Sequence, residues 1–402
     1  MIINAIYYSK KLKYPQLKLK KGLKEITRKE EVKGISAKDS LMISLASKLG
    51  AGSLAGVSFA IYYGGIGSIF WIWVSTFFSS INCYVENILG IKSKETNKKE
   101  VGGPAKYIDK YLKNKKLSVL YSLVATFTYI FGFIGVQNNT IVKITSTNFK
   151  INELAISLIV SLISILLIKK GVKKVSKICN KIVPIMTSIY IVSGLIVILL
   201  NIDKVPMIFI RIVKEAFNFK SGIGGFFASF FIGVQRATFA TEAGVGTSAM
   251  ASSLSNTKNE TKQGYQGIIE TAFINIIITT ITALLLILSN IEKINIKNIN
   301  GIELTNIAFY YHFGIKGKIL LYTIIVLFSF SSIITAYFYM KMNLNNIIKL
   351  KEKIVLIITF ISIFIGGVIY APKLWKITDL LIGIMAIINM YAIYKLKNKN
   401  IQ

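Results

Sequence analysis

The sequence is poor in the side chains on which metal centres and many catalytic sites depend. Its 402 residues include one histidine, His312, and two cysteines, Cys83 and Cys179. A lone histidine argues against a His-ligated metal site or a His-based triad, and the cysteines form no CxxC pair. No nucleophile–base pair stands out inside the apolar segments. An enzyme embedded in the membrane is therefore without support, and we expect no enzymatic cofactor.

Acidic residues are scarce as well. The chain has 18 acidic and 49 basic residues, which gives a formal net charge of +31. Such an excess can indicate nucleic-acid binding, but its distribution indicates something else. If the apolar segments are membrane spans and the N-terminus is cytoplasmic, 35 basic residues fall on the inner side and 12 on the outer side. Basic residues concentrate on the cytoplasmic side of membrane proteins. We therefore expect two cytoplasmic termini and no nucleic-acid partner.

Long apolar runs dominate the sequence, and 53% of its residues are hydrophobic. A helix needs roughly 20 apolar residues to cross a bilayer. The runs predict an all-α polytopic membrane protein with ten spans and no soluble domain, at residues 41–62, 68–90, 117–138, 152–168, 182–201, 223–249, 265–290, 319–340, 354–371 and 374–394. We expect it in the lipid bilayer of a bacterial-type plasma (inner) membrane.

The flanking segments are predicted to be cytoplasmic. Residues 1–40 form a basic N-terminal segment, and residues 395–402 form a C-terminal tail. The stretch "KKLKYPQLKLKKGLK" in the first of them either lies on anionic lipid headgroups or is solvated.

Two stretches interrupt the helical pattern in mid-span. They are "ASKLGAGSLAGV", residues 46–57, and "RATFATEAGVGTSAM", residues 236–250. We call the predicted interruptions the first break and the second break. They lie five spans apart, which predicts an inverted repeat of residues 41–201 and 202–394 around a binding cavity. The alternative is close helix packing through small residues, since Gly52 and Gly56 have the GxxxG spacing.

Glu242 lies inside the second stretch, where a charge in hydrocarbon costs several kcal/mol. One interpretation places it in a polar cavity, where it orients the unwound segment or responds to a substrate ammonium. In the other it caps the following half-helix through backbone N–H groups. Among the other acids, Glu86 is interpreted as a gate or interface residue, Glu270 begins the seventh span, and Asp379 lies at the outer rim.

Four stretches of the chain resemble one transporter family. "GAGSLAGVSFAIYYGGIGSIFWIWVSTFF", "GGPAKYI", "KIVPIMTSIYIVSGLIVILLNIDKVP" and "FATEAGVGTSAM" are similar, in order, to motifs of the alanine or glycine:cation symporters, over about residues 36–345. That family belongs to the amino acid–polyamine–cation superfamily and pairs a GTGNIAGV-type first break with an FSNEAGMGS-type second one.

The resemblance implies a leucine-transporter-like fold, with ten core helices in two inverted repeats of five and with the first and sixth helices broken. Members usually carry one more helix before this core. Only about 14 residues precede "YPQLKLKKGLKEI", so we expect that helix to be missing or truncated.

The resemblance also implies a function and a substrate site. The protein would import a small neutral amino acid, such as alanine or glycine, with sodium by alternating access, as a monomer. The backbone of Gly50, Ala51 and Gly52 would bind the carboxylate, and the carbonyls of Phe239, Ala240 and Thr241 would take the ammonium, with Glu242 close by. The remaining residues that would line the pocket are Ser53, Gln137, Asn139, Val245 and Ala336. For Gln137, interhelical hydrogen bonding without a substrate role is the alternative.

A sodium site follows from the same resemblance. The carbonyls of Ala46 and Leu49 would face the cation, and the hydroxyls of Ser331 and Ser332 would complete its shell, with Phe328 beside them. Sodium prefers hard oxygen ligands, so the site needs no carboxylate. Proton coupling through Glu242 is the alternative.

Several positions depart from the family pattern. Ala51 stands where Thr is usual, and Ser53 and Thr241 stand where Asn is usual. The eighth span reads "TAYFYMK" where the family often has GWSYYGE, so that Ala336 replaces a Trp. These departures leave the substrate and the ion stoichiometry open. They also leave open a transport-inactive amino-acid sensor or membrane scaffold, and an ion channel remains a further alternative.

Overall fold

The computed structural model describes residues 1–28, 30, 32–94, 102–218, 223–291 and 301–398, and across these it is helical without a strand. The first half of the chain forms helices α1 (Ile2–Lys11), α2 (Leu19–Thr27), α3 (Ala37–Lys48), α4 (Ala51–Gly64), α5 (Ser68–Lys92), α6 (Pro104–Leu112), α7 (Lys115–Phe127), α8 (Gly135–Phe149), α9 (Glu153–Ile168) and α10 (Val172–Leu200). The second half forms α11 (Val205–Ala216), α12 (Ile223–Thr241), α13 (Thr247–Leu254), α14 (Glu260–Ala272), α15 (Thr279–Leu288), α16 (Gly301–Ile347), α17 (Glu352–Val368) and α18 (Ala371–Lys395).

Seven helical stretches in the described part of the chain are long and apolar enough to cross a membrane. They are Ala37–Gly64, Ser68–Lys92, Lys115–Phe149, Val172–Leu200, Glu260–Leu288, Gly301–Ile347 and Ala371–Lys395. The protein is therefore an all-helical, multi-pass membrane protein. The other three predicted spans correspond to α9, to α12 with α13, and to α17, so the count of ten remains a prediction.

Several predicted loops contain helix. The segment 169–181 was predicted as an inner loop, but α10 begins at Val172, directly after Gly171 with a φ of +77°. The outer segment 202–222 contains α11, and the segment before the eighth predicted span contains the first part of α16, which a kink at Gly314 (φ +60°, ψ −145°) separates from the rest. Lysines do not end a helix, because their stems extend along its surface while the charges reach water. Sequence hydropathy marks the membrane portion of a helix and not its ends.

The N-terminal helix α1 packs among the spans. The Asn4 amide donates a hydrogen bond to the Met390 carbonyl at 2.8 Å, and the Tyr8 hydroxyl donates to the Ile393 carbonyl at 3.0 Å. Both side chains are buried. The basic residues that follow in α2 are largely exposed. The predicted cytoplasmic segment thus contains one helix that packs into the protein and one that lies on its surface.

The first break separates α3 from α4 at Leu49 and Gly50. Leu49 is extended, with φ −75° and ψ 93°, so the helix cannot continue through it. A Cβ atom at Gly50 would lie 2.6 Å from Oε1 of Gln137. A larger residue at this position would therefore displace the Gln137 side chain.

The second break comprises the residues between Thr241, where α12 ends, and Thr247, where α13 begins. Three of them have positive φ: Glu242 at +51°, Gly244 at +85° and Gly246 at +103°. The helices beside the two breaks contact each other, because a Cβ atom at Gly52 in α4 would lie 2.7 Å from Cδ1 of Phe239 in α12. The two breaks therefore lie close together in the interior of the protein.

Candidate functional site

The first break has a side-chain partner from α8. The backbone N–H of Ala51 donates a hydrogen bond to Oε1 of Gln137 at 3.0 Å. The first N–H groups of a helix lack partners within it, so α4 offers unpaired donors at this point. Gln137 is buried and faces the break. Its contact is compatible both with lining a pocket and with joining two helices.

Asn139 is placed elsewhere. Its amide donates to the carbonyls of Gly366, Gly367 and Ile369, at the end of α17. Two residues along a helix are about 200° apart at roughly 100° per residue, so Gln137 and Asn139 face different directions. Asn139 therefore satisfies the terminal carbonyls of α17, and its place in the pocket stays a prediction.

The predicted sodium ligands lie together. Oγ of Ser332 is 2.9 Å from the Ala46 carbonyl oxygen and 3.4 Å from that of Leu49. Oγ of Ser331 is 3.3 Å from the same Ala46 oxygen. Both hydroxyl oxygens are also within hydrogen-bond distance of the Phe328 carbonyl oxygen, at 2.8 and 3.0 Å, and each hydroxyl can donate its one proton to one of these carbonyls. Because α3 ends at Lys48, its last carbonyls lack helical partners. The oxygens that come together are thus neutral and belong to the end of α3, the first break and α16.

Two backbone carbonyls of the second break accept hydrogen bonds from side chains of other helices. The Tyr121 hydroxyl donates to the Val245 carbonyl at 2.8 Å, and the Asn389 amide donates to the Gly244 carbonyl at 2.9 Å. The predicted ammonium ligands are the last three residues of α12, and all are buried: Phe239, Ala240 and Thr241. Their position at a helix end makes their carbonyls available to a ligand.

Glu242 is 2% exposed. Its carboxylate faces the side-chain hydroxyl of Thr247. That hydroxyl is 2.7 Å from the Tyr129 hydroxyl. Oε2 of Glu242 has no hydrogen-bond partner among the described residues. The Glu242 carboxylate therefore contacts Thr247, the first residue of α13, through the threonine side chain.

Ser53 and Ala336 complete the predicted pocket residues. Oγ of Ser53 donates to the Gly50 carbonyl at 3.3 Å, so its hydroxyl is already engaged within the first break. Ala336 is buried on α16, four residues after Ser332 and therefore on the same helix face. Ala336 thus lies one turn along from the predicted sodium ligands.

A buried ion pair lies beside the breaks, and the sequence analysis did not find it. Nζ of Lys48, the last residue of α3, is 3.0 Å from Oε1 of Glu270 and 2.6 Å from Oγ of Ser248. Both charged side chains are almost fully buried. The sequence contained the information for this pairing, because a lysine and a glutamate inside two apolar spans are expected to pair. The pair connects the first break to α13 and α14.

Arg236 and Asp379 form a second pair on the predicted outer side. An Arg236 guanidinium nitrogen donates to a carboxylate oxygen of Asp379. The guanidinium lies over the Trp375 ring, 4.8 Å from its centroid, and the Trp375 and Phe239 rings are 4.6 Å apart. Asp379 was predicted at the rim and Arg236 just before the second break. The pair thus packs against the aromatic rings beside the end of α12.

Interrupted apolar helices around a buried polar interior are typical of multi-pass membrane transporters. In fold, the chain is similar to a manganese transporter of Eremococcus coleocola, with a TM-score of 0.59 and 12% identity over 91% of this chain and 80% of that one. The chain belongs to the sodium:alanine symporter family, whose model matches residues 1–402. This is a family of transporters and not of enzymes.

Two relatives carry names that refer to transport. The amino-acid carrier protein AlsT of Bacillus subtilis is 32% identical, over 91% of this chain and 79% of AlsT. The sodium/alanine symporter AgcS of Methanococcus maripaludis is 30% identical, over 89% of this chain and 81% of AgcS.

Proposed function

We propose that the protein imports a small neutral amino acid together with sodium, by alternating access. The observation that carries this proposal is the convergence of the Ser331 and Ser332 hydroxyls on the carbonyls of Ala46 and Leu49. A dehydrated sodium ion would take these oxygens as ligands. Because two of them belong to the first break, sodium binding would fix the segment that also contacts the substrate.

The substrate would bind between the two breaks. Its carboxylate would accept from the N–H groups of Gly50, Ala51 and Gly52, and its ammonium would donate to the carbonyls at the end of α12. Gln137 now holds the Ala51 N–H, so the substrate carboxylate would replace its amide oxygen. The cations nearest the breaks are engaged, Lys48 with Glu270 and Arg236 with Asp379. A second substrate carboxylate would thus lack a partner, which favours neutral amino acids.

The proposed architecture is ten spans in two inverted repeats of five. Two features support it: the breaks lie in the first and sixth predicted spans, and the helices beside them contact each other across the interior. The protein would lie in the plasma membrane. Both of its termini would be in the cytoplasm. This orientation rests on the distribution of basic residues. We propose a monomer, because one chain supplies both breaks.

Uptake into proteoliposomes tests the function. We expect radiolabelled alanine or glycine to accumulate when an inward sodium gradient is imposed and not when potassium replaces sodium. Accumulation driven by a proton gradient alone would contradict sodium coupling and favour Glu242 as a proton site.

A transport-inactive sensor is the second candidate, favoured by the altered break residues Ala51, Ser53 and Thr241. It predicts that an amino acid raises the thermal unfolding midpoint of the purified protein while no gradient drives uptake.

A further inference from the structure

A cavity with a basic wall lies on the predicted cytoplasmic side of the protein. Its volume is about 840 Å³, within the range of cavities that hold small molecules. Four segments enclose it: the residues before α3, the end of α5, the start of α10 and the connection between α13 and α14. The distribution of basic residues places all four on the inner side. None of the lining residues belongs to either break, so this cavity is separate from the proposed substrate site.

The charged side chains that line the cavity are mostly lysines. They are Lys33, Lys92, Lys94, Lys173, Lys258 and Glu260. Lys92 and Glu260 are paired at 3.0 Å. The other four lysines form no ion pair with any residue that the structure describes. Five lysines against one glutamate leave an excess of four positive charges around one cavity.

Lys94 is held at the wall of the cavity by neutral oxygens. Its Nζ donates to the Ser255 carbonyl at 2.9 Å and to Oδ1 of Asn256 at 2.8 Å. Burial lowers the pKa of Lys94, because its ammonium loses contact with water. An anion in the cavity would offset this loss and stabilise the charged form of the lysine.

The rest of the wall includes apolar side chains. They are Ile35, Ile91, Val172 and Leu254, and each is partly exposed. A free phosphate ion would gain nothing from this surface, whereas an acyl chain that covered it would remove it from water. Basic pockets between membrane helices on the cytoplasmic side bind the headgroups of anionic lipids. Lysines and apolar side chains in one wall therefore favour an amphiphilic anion.

We propose that this cavity binds the phosphate-containing headgroup of an anionic phospholipid. The phosphate pairs with the lysines, and the first part of the acyl chains contacts the apolar side chains. Because the lysines come from four separate segments, one lipid joins the residues before α3 to α5, α10 and the α13–α14 connection. The proposal does not depend on the proposed function.

Thermal unfolding of the purified protein in a neutral detergent tests the site. The unfolding midpoint is followed as phosphatidylglycerol is added, and in parallel with phosphatidylcholine or with inorganic phosphate, at constant ionic strength. A ligand that binds only the folded state raises the midpoint. We expect phosphatidylglycerol to raise the wild-type midpoint by several degrees, and the other two additions to leave it unchanged.

The cavity variant combines Lys33→Gln, Lys173→Gln and Lys258→Gln. These three lysines are exposed, so their loss removes charge without opening the core. We expect the half-saturating concentration of phosphatidylglycerol to rise about tenfold or more, because each basic residue adds to the attraction of an anionic headgroup. Lys258→Gln alone is expected to raise it by a smaller factor, and this single variant serves if the triple variant does not fold.

The matched control combines Lys113→Gln, Lys116→Gln and Lys174→Gln. These lysines are also exposed and lie on the predicted inner side, but they do not line the cavity. The control variant should bind phosphatidylglycerol like the wild type.

Four results would overturn the proposal. The first is a wild-type midpoint that does not rise with phosphatidylglycerol. The second is an equal rise with phosphatidylcholine or inorganic phosphate, because the ligand would then not be an anionic lipid. The third is a half-saturating concentration in the cavity variants that matches the wild type. The fourth is an equal increase in the control, which would indicate general attraction to the basic inner face. The measurement needs no transport, so a failure of the proposed symport leaves its outcome unaffected.

Discussion

Gln137 and Ala51 are joined across the first break, where the side-chain oxygen of one accepts the backbone N–H of the other at 3.0 Å. The amide oxygen thus occupies the acceptor position proposed for a substrate carboxylate. Both residues are buried, so this position is sheltered from water. Gln137 is therefore the side chain that would move away from the Ala51 N–H when the substrate binds.

Gln137→Glu is expected to weaken substrate binding. A carboxylate makes charge-assisted hydrogen bonds, which are roughly twice as strong as neutral ones, and it repels the substrate carboxylate. We expect KM for alanine to rise about tenfold or more, which corresponds to about 1.4 kcal/mol. Asn139→Ala is the control, because Asn139 bonds to the end of α17; we expect a lower unfolding midpoint and an unchanged KM. An equal rise in KM for both variants would contradict the placement.

Replacing Ser331 and Ser332 together with alanine is expected to raise the sodium concentration for half-maximal uptake. The cation would lose two oxygen ligands next to Ala46. Ser329→Ala is the matched control on the same helix, because the Ser329 hydroxyl is buried and has no hydrogen-bond partner among the described residues. Sodium dependence that is the same in the double variant and the control would remove this site from the mechanism.

Asp379→Asn is expected to make Gly56 more accessible from the predicted outer side. Loss of the charge frees Arg236, which with Trp375 covers Gly56; a Cβ atom there would lie 3.8 Å from Arg236 and 4.0 Å from Trp375. The measurement is the labelling rate of Gly56→Cys by an impermeant thiol reagent, in a background without Cys83 and Cys179. We expect a several-fold increase. Asp203→Asn, in an exposed turn, should leave the rate unchanged, and an equal increase in both variants would show that the Arg236–Asp379 pair does not limit access to Gly56.

The proposed orientation predicts opposite labelling at the two ends of α10. Lys173 lies at the start of α10, and Lys204 follows its end. The helix is about 43 Å long, because it has 29 residues at 1.5 Å each. In intact cells, an impermeant reagent should label Lys204→Cys and spare Lys173→Cys. The reverse result would invert the orientation. Lys297, for which the sequence also predicts an external position, lies outside the described residues.

Ala336→Trp is expected to narrow the range of substrates. Ala336 is buried one turn from Ser332, and a methyl in place of an indole leaves room for a longer substrate side chain. Each added CH₂ that is buried is worth about 0.8 kcal/mol, so one or two would shift preference roughly four- to fifteen-fold. We expect serine, threonine or a small branched residue to compete with alanine in the wild type but not in the variant. Competition by glycine and alanine alone in the wild type would show that Ala336 does not face the site.

The sequence by itself determined the membrane class and the family, and it predicted where two spans are interrupted. Apolar runs and the asymmetry of basic residues are properties of composition along the chain, so they need no tertiary structure. Glycine in mid-span similarly marks where a helix is weak. The family resemblance then named Ala46, Leu49, Ser331 and Ser332 as a set, and the structure places their oxygens together.

Only the tertiary structure decided which polar side chains meet. Lys48 and Glu270 are 222 positions apart, and no local pattern pairs them; the packing of α3 against α14 does. Asn139 seemed equivalent to Gln137 in sequence, yet helix geometry turns it toward α17. Glu86 is joined to the second break through Asn389, whose amide donates both to the Glu86 carboxylate and to the Gly244 carbonyl. In a low-dielectric interior each buried charge must find a partner, and the choice of partner depends on which helices lie side by side.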